Sequence, residues 1–274
     1  ESPSRYPEGG PGRHLKSRLL NGEVLICAMI TEYVRPSLIK IYKQAGIDFV
    51  FFEYEHSYFN PTDLSDTVLS ARDTALPPIA KTPQLERMEV AKLLESGVIG
   101  IQLPRTESGR QVKELHDYLK FPPLGSRAAA AGLGNSDYVL PKDLNRLQDW
   151  MDDQDAETTL IAHIETKLGY QNAREIVECS EVDMVYVGPG DFSIEMGYPG
   201  QYDHPGVTGP IQDILQLCQK NHVPFGTSVS GLESAQKWIA AGASFFLVSD
   251  ELGFIRQGAT KTVSGYRALL DSQT

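Results

Sequence analysis

The sequence predicts an α/β fold, a (β/α)8 TIM barrel in one domain, and three observations carry that prediction. From Val24 onward, short apolar runs of strand length alternate about eight times with longer segments of helical period. Ala45-Gly46, Ser96-Gly97 and Ala241-Gly242 sit where a helix should stop before the next strand. Several runs end in a titratable residue, as expected of a barrel that gathers its chemistry at the C-terminal ends of its strands. A chain of 274 residues is long for an average domain but ordinary for one barrel.

The strands expected are Val24 to Ile30, Asp48 to Tyr54, Pro78 to Lys81, Gly100 to Pro104, Thr159 to Glu165, Met184 to Gly188, Pro224 to Val229 and Ser244 to Ser249. Helices are expected between them, with apolar residues three and four apart, as in Leu85, Met88, Leu93 and Leu94 or Ile211, Ile214, Leu215 and Leu217. Residues 1–20 are expected as an irregular arm, because Pro and Gly crowd its first part, and residues 21–274 as the barrel domain. The long irregular stretch Phe121 to Pro141 holds Pro122-Pro123, Gly125 and a run of Ala, so it is expected to serve function or a subunit contact.

Lys and Arg number 25 against 36 Asp and Glu, a formal net charge of -11. Neither nucleic acid nor an anionic membrane is an expected partner. Cys27, Cys179 and Cys218 are odd in number and widely spaced, which reads as reduced structural thiols and a cytoplasmic location. No apolar run approaches the roughly 18 residues of a membrane span.

The strand ends carry the chemistry. The second delivers Glu53-Tyr-Glu-His56, a titratable imidazole beside two acids, and a carboxylate-held His is a general base. Glu53 and Glu55 alternate in direction on a continuing strand, so only one is expected to reach the pocket easily. The third run ends in Lys81 and the fourth in Gln102-Leu-Pro-Arg105, cations suited to a substrate carboxylate or a developing enolate. Lys81 is also a candidate for a Schiff base, or for plain ion pairing with the acids. Glu165 and Asp191 close the fifth and sixth runs, and two carboxylates with other positions left to water suit Mg²⁺ or Mn²⁺ among divalent cations. Gly188-Pro-Gly190 lets backbone approach a small anion, and the segment opened by Asp191 offers helix N-terminal amides to a carboxylate.

Glu53-Tyr-Glu-His56, Gly125-Ser-Arg127, His163-Ile-Glu-Thr166, Gly188-Pro-Gly-Asp-Phe-Ser193, Met196-Gly-Tyr198, His204-Pro205 and Ser249-Asp-Glu-Leu-Gly-Phe254 together resemble the HpcH/HpaI aldolase family in order and spacing. The resemblance covers about Val24 to Leu270. It implies a class II, pyruvate-dependent aldolase whose divalent ion is held by Glu165 and Asp191. It further implies His56 as the base with Glu53 as its orienting acid, Gly190 and Asp191 amides on the substrate carboxylate, and His163 and Arg127 at the substrate. A homo-oligomer is implied as well, a hexamer built as a trimer of dimers, with the last helix packed on a neighbouring subunit.

Four positions depart from the family pattern, which has Asp at Glu53, Arg at Lys81, Gln at His163 and Gly at Ala128. An aromatic residue near the end of the first strand is also missing. The spacing from Lys81 to Glu165 resembles the macrophomate synthase branch, although Arg105 stands where that branch has a pocket His. The expected activity is metal-dependent carbon-carbon cleavage of a 2-oxo acid, by retro-aldol reaction or by oxaloacetate decarboxylation. The alternatives are a barrel that binds a 2-oxo acid or a partner without turnover, and a synthase that uses the enolate to form a carbon-carbon bond.

Overall fold

A computed structural model describes residues 9–141 and 144–272. Eight parallel strands pair in sequence order and close into a barrel: β1 (Leu25–Ile30), β2 (Phe49–Glu53), β3 (Pro78–Lys81), β4 (Gly100–Leu103), β5 (Thr159–His163), β6 (Met184–Val187), β7 (Phe225–Ser228) and β8 (Phe245–Asp250). Each lies within a predicted run, apart from the last residue of β8. The observed ends of several strands fall short because their last residues turn out of the ladder into the rim loops.

Alternation along the strands divides the interior into two cores. Phe49, Phe51, Ile79, Ile161, Met184, Tyr186 and Phe245 fill the barrel itself. Val50, Phe52, Ala80, Ile101, Ala162, Val185 and Val187 face the surrounding helices. Gly226 shows how tightly the inner core is packed, since a Cβ there would meet the Phe245 ring at 2.1 Å.

The three predicted Gly stops are found. Gly46, Gly97 and Gly242 end their helices at φ 89°, 106° and 96°, a conformation that side chains other than Gly adopt at a steric cost. Helix starts follow local chemistry too: Asn60, Glu86, Ser108, Thr166 and Asp250 each accept a first-turn amide through the side chain.

The expectation of an irregular arm over residues 1–20 is corrected in its second half. Pro11–Leu20 is a helix with Pro at its first position, and Leu15 and Leu19, four residues apart, are buried in the inner core at the N-terminal end of the barrel. Glu157 fixes its start by accepting from the amides of Gly12 and Arg13. Residues 1–8 of that arm lie outside the described residues.

The stretch after Phe121 also packs at this end. Gly134 abuts the Ser96 carbonyl, and Asp137 receives the Arg72 guanidinium at 2.7 and 3.0 Å. The C-terminal helix, Glu251–Asp271, stands apart: Ile255, Val263, Tyr266, Leu269 and Leu270 are all exposed. No described helix is long and apolar enough to cross a membrane, and Cys27, Cys179 and Cys218 are free and buried.

Candidate active site

The C-terminal rim collects an unusual density of buried polar side chains. Glu53, Lys81, Gln102, His163 and Glu165 are each no more than 5% exposed. Burial on this scale requires charges to be paired. Lys81 answers for the first group: its Nζ lies 2.6 Å from Glu55 Oε2 and 3.3 Å from Glu53 Oε2. Burial pulls the Lys81 pKa down, but Glu53, Glu55 and Glu165 outweigh it and the net shift is upward. The ammonium therefore keeps its proton, and a Schiff base at Lys81, which needs a free amine, is disfavoured.

Both acids of the second strand end reach the site, contrary to the expectation that one would. β2 ends at Glu53, so Glu55 lies in the following turn and is released from strand alternation. Their contacts also differ from those expected. Glu53 Oε1 accepts from the backbone amides of Glu55 and His56 at 3.1 and 3.3 Å, which fixes the turn. The carboxylate facing the imidazole is that of Glu55, whose Oε2 is 3.4 Å from His56 Nε2. The His56 side chain is 64% exposed, open to an arriving substrate.

Glu165 follows β5 and is approached from two sides. Its Oε1 accepts from the Arg105 amide at 2.8 Å, and its Oε2 is 3.1 Å from His163 Nε2. Burial raises the Glu165 pKa to about 7, Lys81 and the Arg105 amide oppose the rise, and the charges of Glu55 and Asp191 add to it. Asp191 lies in the first turn of the short helix Pro189–Glu195 and is exposed. A buried carboxylate whose ionisation is disfavoured, with a second carboxylate acting on it, is suited to a divalent cation. Glu53, Glu55 and His56 form another cluster with ligand atoms within 4.8 Å of one another, and the single charge of the Lys81 ammonium offsets part of its negative charge.

His163 is buried, its pKa is driven well below the ordinary value by burial and by Lys81 and His56, and its ring packs edge-on against Tyr186 at 4.8 Å. It is a neutral imidazole. Gly188 is glycine because of it, since a Cβ there would come within 2.8 Å of His163 Nε2. Gly190, by contrast, is exposed with open space where a Cβ would go, and Gly188 brings no side chain to cap the helix that follows.

Two predicted residues sit differently from expectation. Arg105 contributes its backbone: φ is 47°, a left-handed conformation costing on the order of 1–2 kcal/mol, and the guanidinium points outward to Glu195 at 3.2 Å. Arg127 is not brought to the rim at all. It is buried beside Thr158 and the Leu119 carbonyl, with its guanidinium over the Phe121 ring at 4.6 Å. Thr158 precedes β5, so Arg127 belongs to the opposite, N-terminal end, because the loop that carries it folds under the barrel.

Two residues escaped the sequence reading. Glu55 was set aside by the alternation argument. Glu251, 1% exposed, accepts from the amides of Thr31, Glu32 and Tyr33 at 2.5–3.0 Å and pins the loop after β1. An acid immediately after β8 was the available signal.

Comparison with known proteins agrees with this architecture. The chain is 25% identical over 233 residues to 5-keto-4-deoxy-D-glucarate aldolase of Salmonella arizonae, covering 85% of this chain and 88% of the relative. It is 25% identical over 245 residues to hydroxypyruvate/pyruvate aldolase of Roseobacter denitrificans, covering 89% and 93%. Among solved structures, an HpcH/HpaI aldolase from Desulfitobacterium hafniense superposes with TM-score 0.86 at 24% identity, covering 92% and 96%. Macrophomate synthase superposes with 0.83 at 20% identity, covering 100% and 96%. The model of the HpcH/HpaI aldolase/citrate lyase family matches residues 29–256, and the chain belongs to that family.

Proposed function

We propose that the rim binds a 2-oxo acid together with Mg²⁺ or Mn²⁺ and cleaves a 4-hydroxy-2-oxo acid by a retro-aldol reaction. The lyase class follows from the family, whose named relatives cleave keto-deoxy sugar acids or act on pyruvate and hydroxypyruvate. The observation that carries the site assignment is the pair Glu165 and Asp191, one carboxylate buried and raised to about 7, the other in the helix turn beside it. Glu165 and Asp191 would hold a divalent cation, and that cation would supply positive charge favouring the enolate of the substrate.

The chain's own groups do the rest. His56, set against Glu55, takes the proton of the C4 hydroxyl as the C3–C4 bond breaks, the aldehyde departs, and the electron pair passes into the pyruvate enolate. Lys81, kept protonated between Glu53 and Glu55, places a fixed positive charge beside that developing anion. The Gly190 and Asp191 amides, at a helix start without a side-chain cap, are available to the substrate carboxylate. The exposed apolar residues of the C-terminal helix support a homo-oligomer in which that helix packs on a neighbouring subunit.

The experiment is turnover of a 4-hydroxy-2-oxo acid and of oxaloacetate, with metal, with chelator, and with Glu165→Gln. Chelator and E165Q should each lower kcat/KM on the order of a thousandfold. Metal-dependent turnover of oxaloacetate alone would reassign the reaction as decarboxylation. Turnover indifferent to chelator and to E165Q contradicts the mechanism, and pyruvate binding without turnover of either substrate makes the protein a binding barrel.

A further inference from the structure

Inward side chains of a barrel stack in layers drawn from alternate strands. Lys81 pairs in register with Gln102, and Gln102 with Ile161. Strand tilt raises each successive strand by about one residue, so Lys81 and His163 share a layer and Gln102 lies just beneath, between them. Gln102 is 1% exposed, and neither its Oε1 nor its Nε2 has a hydrogen-bond partner. His163 is in the same condition at Nδ1 and Nε2, since the 3.1 Å approach of Nε2 to Glu165 lacks hydrogen-bond alignment. Lys81 has three donors, of which two face Glu55 and Glu53.

One rearrangement satisfies both Gln102 atoms, the third Lys81 donor and His163 Nδ1. We propose that Gln102 is a positioning residue that ties Lys81 to His163: a side-chain rotation lets its Oε1 accept the spare Lys81 N–H and its Nε2 donate to His163 Nδ1, which leaves the His163 proton on Nε2, facing Glu165. The direction of the amide is not free, because an ammonium only donates and must meet the oxygen. Lys81 therefore fixes Gln102, Gln102 selects the His163 tautomer, and His163 holds the second oxygen of Glu165 while the Arg105 amide holds the first. An apolar side chain of similar size would fit the layer without leaving polar atoms unpaired, so the amide is a choice that stability alone does not explain. The kinetic consequence rests on the reading of Glu165 as a cation ligand; the tautomer does not.

The test is the imidazole itself, in the full chain labelled with ¹⁵N-histidine and free of metal. Long-range ¹H–¹⁵N correlation, with His163 assigned from a His163→Gln sample, should show the Nε2–H tautomer in the native protein and a mixture in Gln102→Leu. In the metal-loaded enzyme, Q102L should lose between tenfold and a hundredfold in kcat with KM changed less than twofold. Thr159→Val removes another unpartnered buried oxygen, at the N-terminal end of β5, and should leave both readings unchanged. Gln102→Met replaces Q102L if the branched side chain prevents folding. A native Nδ1–H tautomer, or the same His163 spectrum in Q102L or Q102M as in the native protein, overturns the proposal whatever the kinetics. If the native enzyme turns over no 2-oxo acid, the function is refuted while the spectrum still decides this inference.

Discussion

The two ends of the barrel treat polar groups in opposite ways. At the N-terminal end, charge is partnered: Arg13 meets Glu157 at 2.6 Å, Arg18 meets Asp48 at 2.9 Å, and Arg72 grips Asp137. Leu15 and Leu19 plug the barrel beneath them. At the C-terminal rim, neutral polar atoms are buried without partners. Both amide atoms of Gln102 and both nitrogens of His163 lack a hydrogen bond among the described residues, against Trp150 Nε1 and Thr159 Oγ1 elsewhere. A buried polar atom without a partner is destabilising, and a fold keeps it where a bound molecule will complete the set.

Substitutions should respect that division. Lys81→Ala leaves the buried Glu53 and the partly buried Glu55 without their cation and should cost about 3–5 kcal/mol of stability, read by denaturant unfolding, together with loss of activity. Leu15→Ala at the opposite end should cost about 2–5 kcal/mol by cavity formation and leave kcat unchanged at temperatures where the variant is folded. Equal losses of kcat in both would blur the two regions into one.

A third expectation concerns pH. Burial lifts the Glu165 acid to about 7 in the folded chain, above the ordinary carboxylate value it has when unfolded. The folded state thus holds a proton that the unfolded state has released. Stability from this group is complete below about pH 4.5 and declines as pH rises through about 7, by roughly 3 kcal/mol at most. Metal-free native protein should show this decline in chemical unfolding between those pH values, and E165Q should flatten it.

Much of this molecule was legible in its sequence, for physical reasons that can be named. Strand runs such as Met184 to Gly188 are apolar because both faces of a barrel strand are covered, and Gly46, Gly97 and Gly242 mark left-handed helix ends that other residues resist. The N-terminal helix was hidden by composition: Pro and Gly before it suggested an arm, although Pro11 suits a helix start and Leu15 and Leu19 carry the helical spacing. The partners of His56 and Arg127 were not legible. A turn after Glu53 turns Glu55 toward the imidazole, and the long loop carries Arg127 beneath the barrel; both depend on tertiary placement that strand alternation and motif order do not encode. Gln102 stood in view at the end of the fourth run, but its lack of partners is visible only once its neighbours are in place.

The central claim is that Glu165 and Asp191 form a cation site that receives a 2-oxo acid. Calorimetric titration of Mn²⁺ into the native protein at pH 7.5, alone and with oxalate as a planar mimic of the enolate, tests it directly. The account predicts one Mn²⁺ per chain, tighter binding when oxalate is present, and loss of both effects in E165Q and in Asp191→Asn. Undiminished Mn²⁺ binding in both variants would contradict it and move the cation elsewhere.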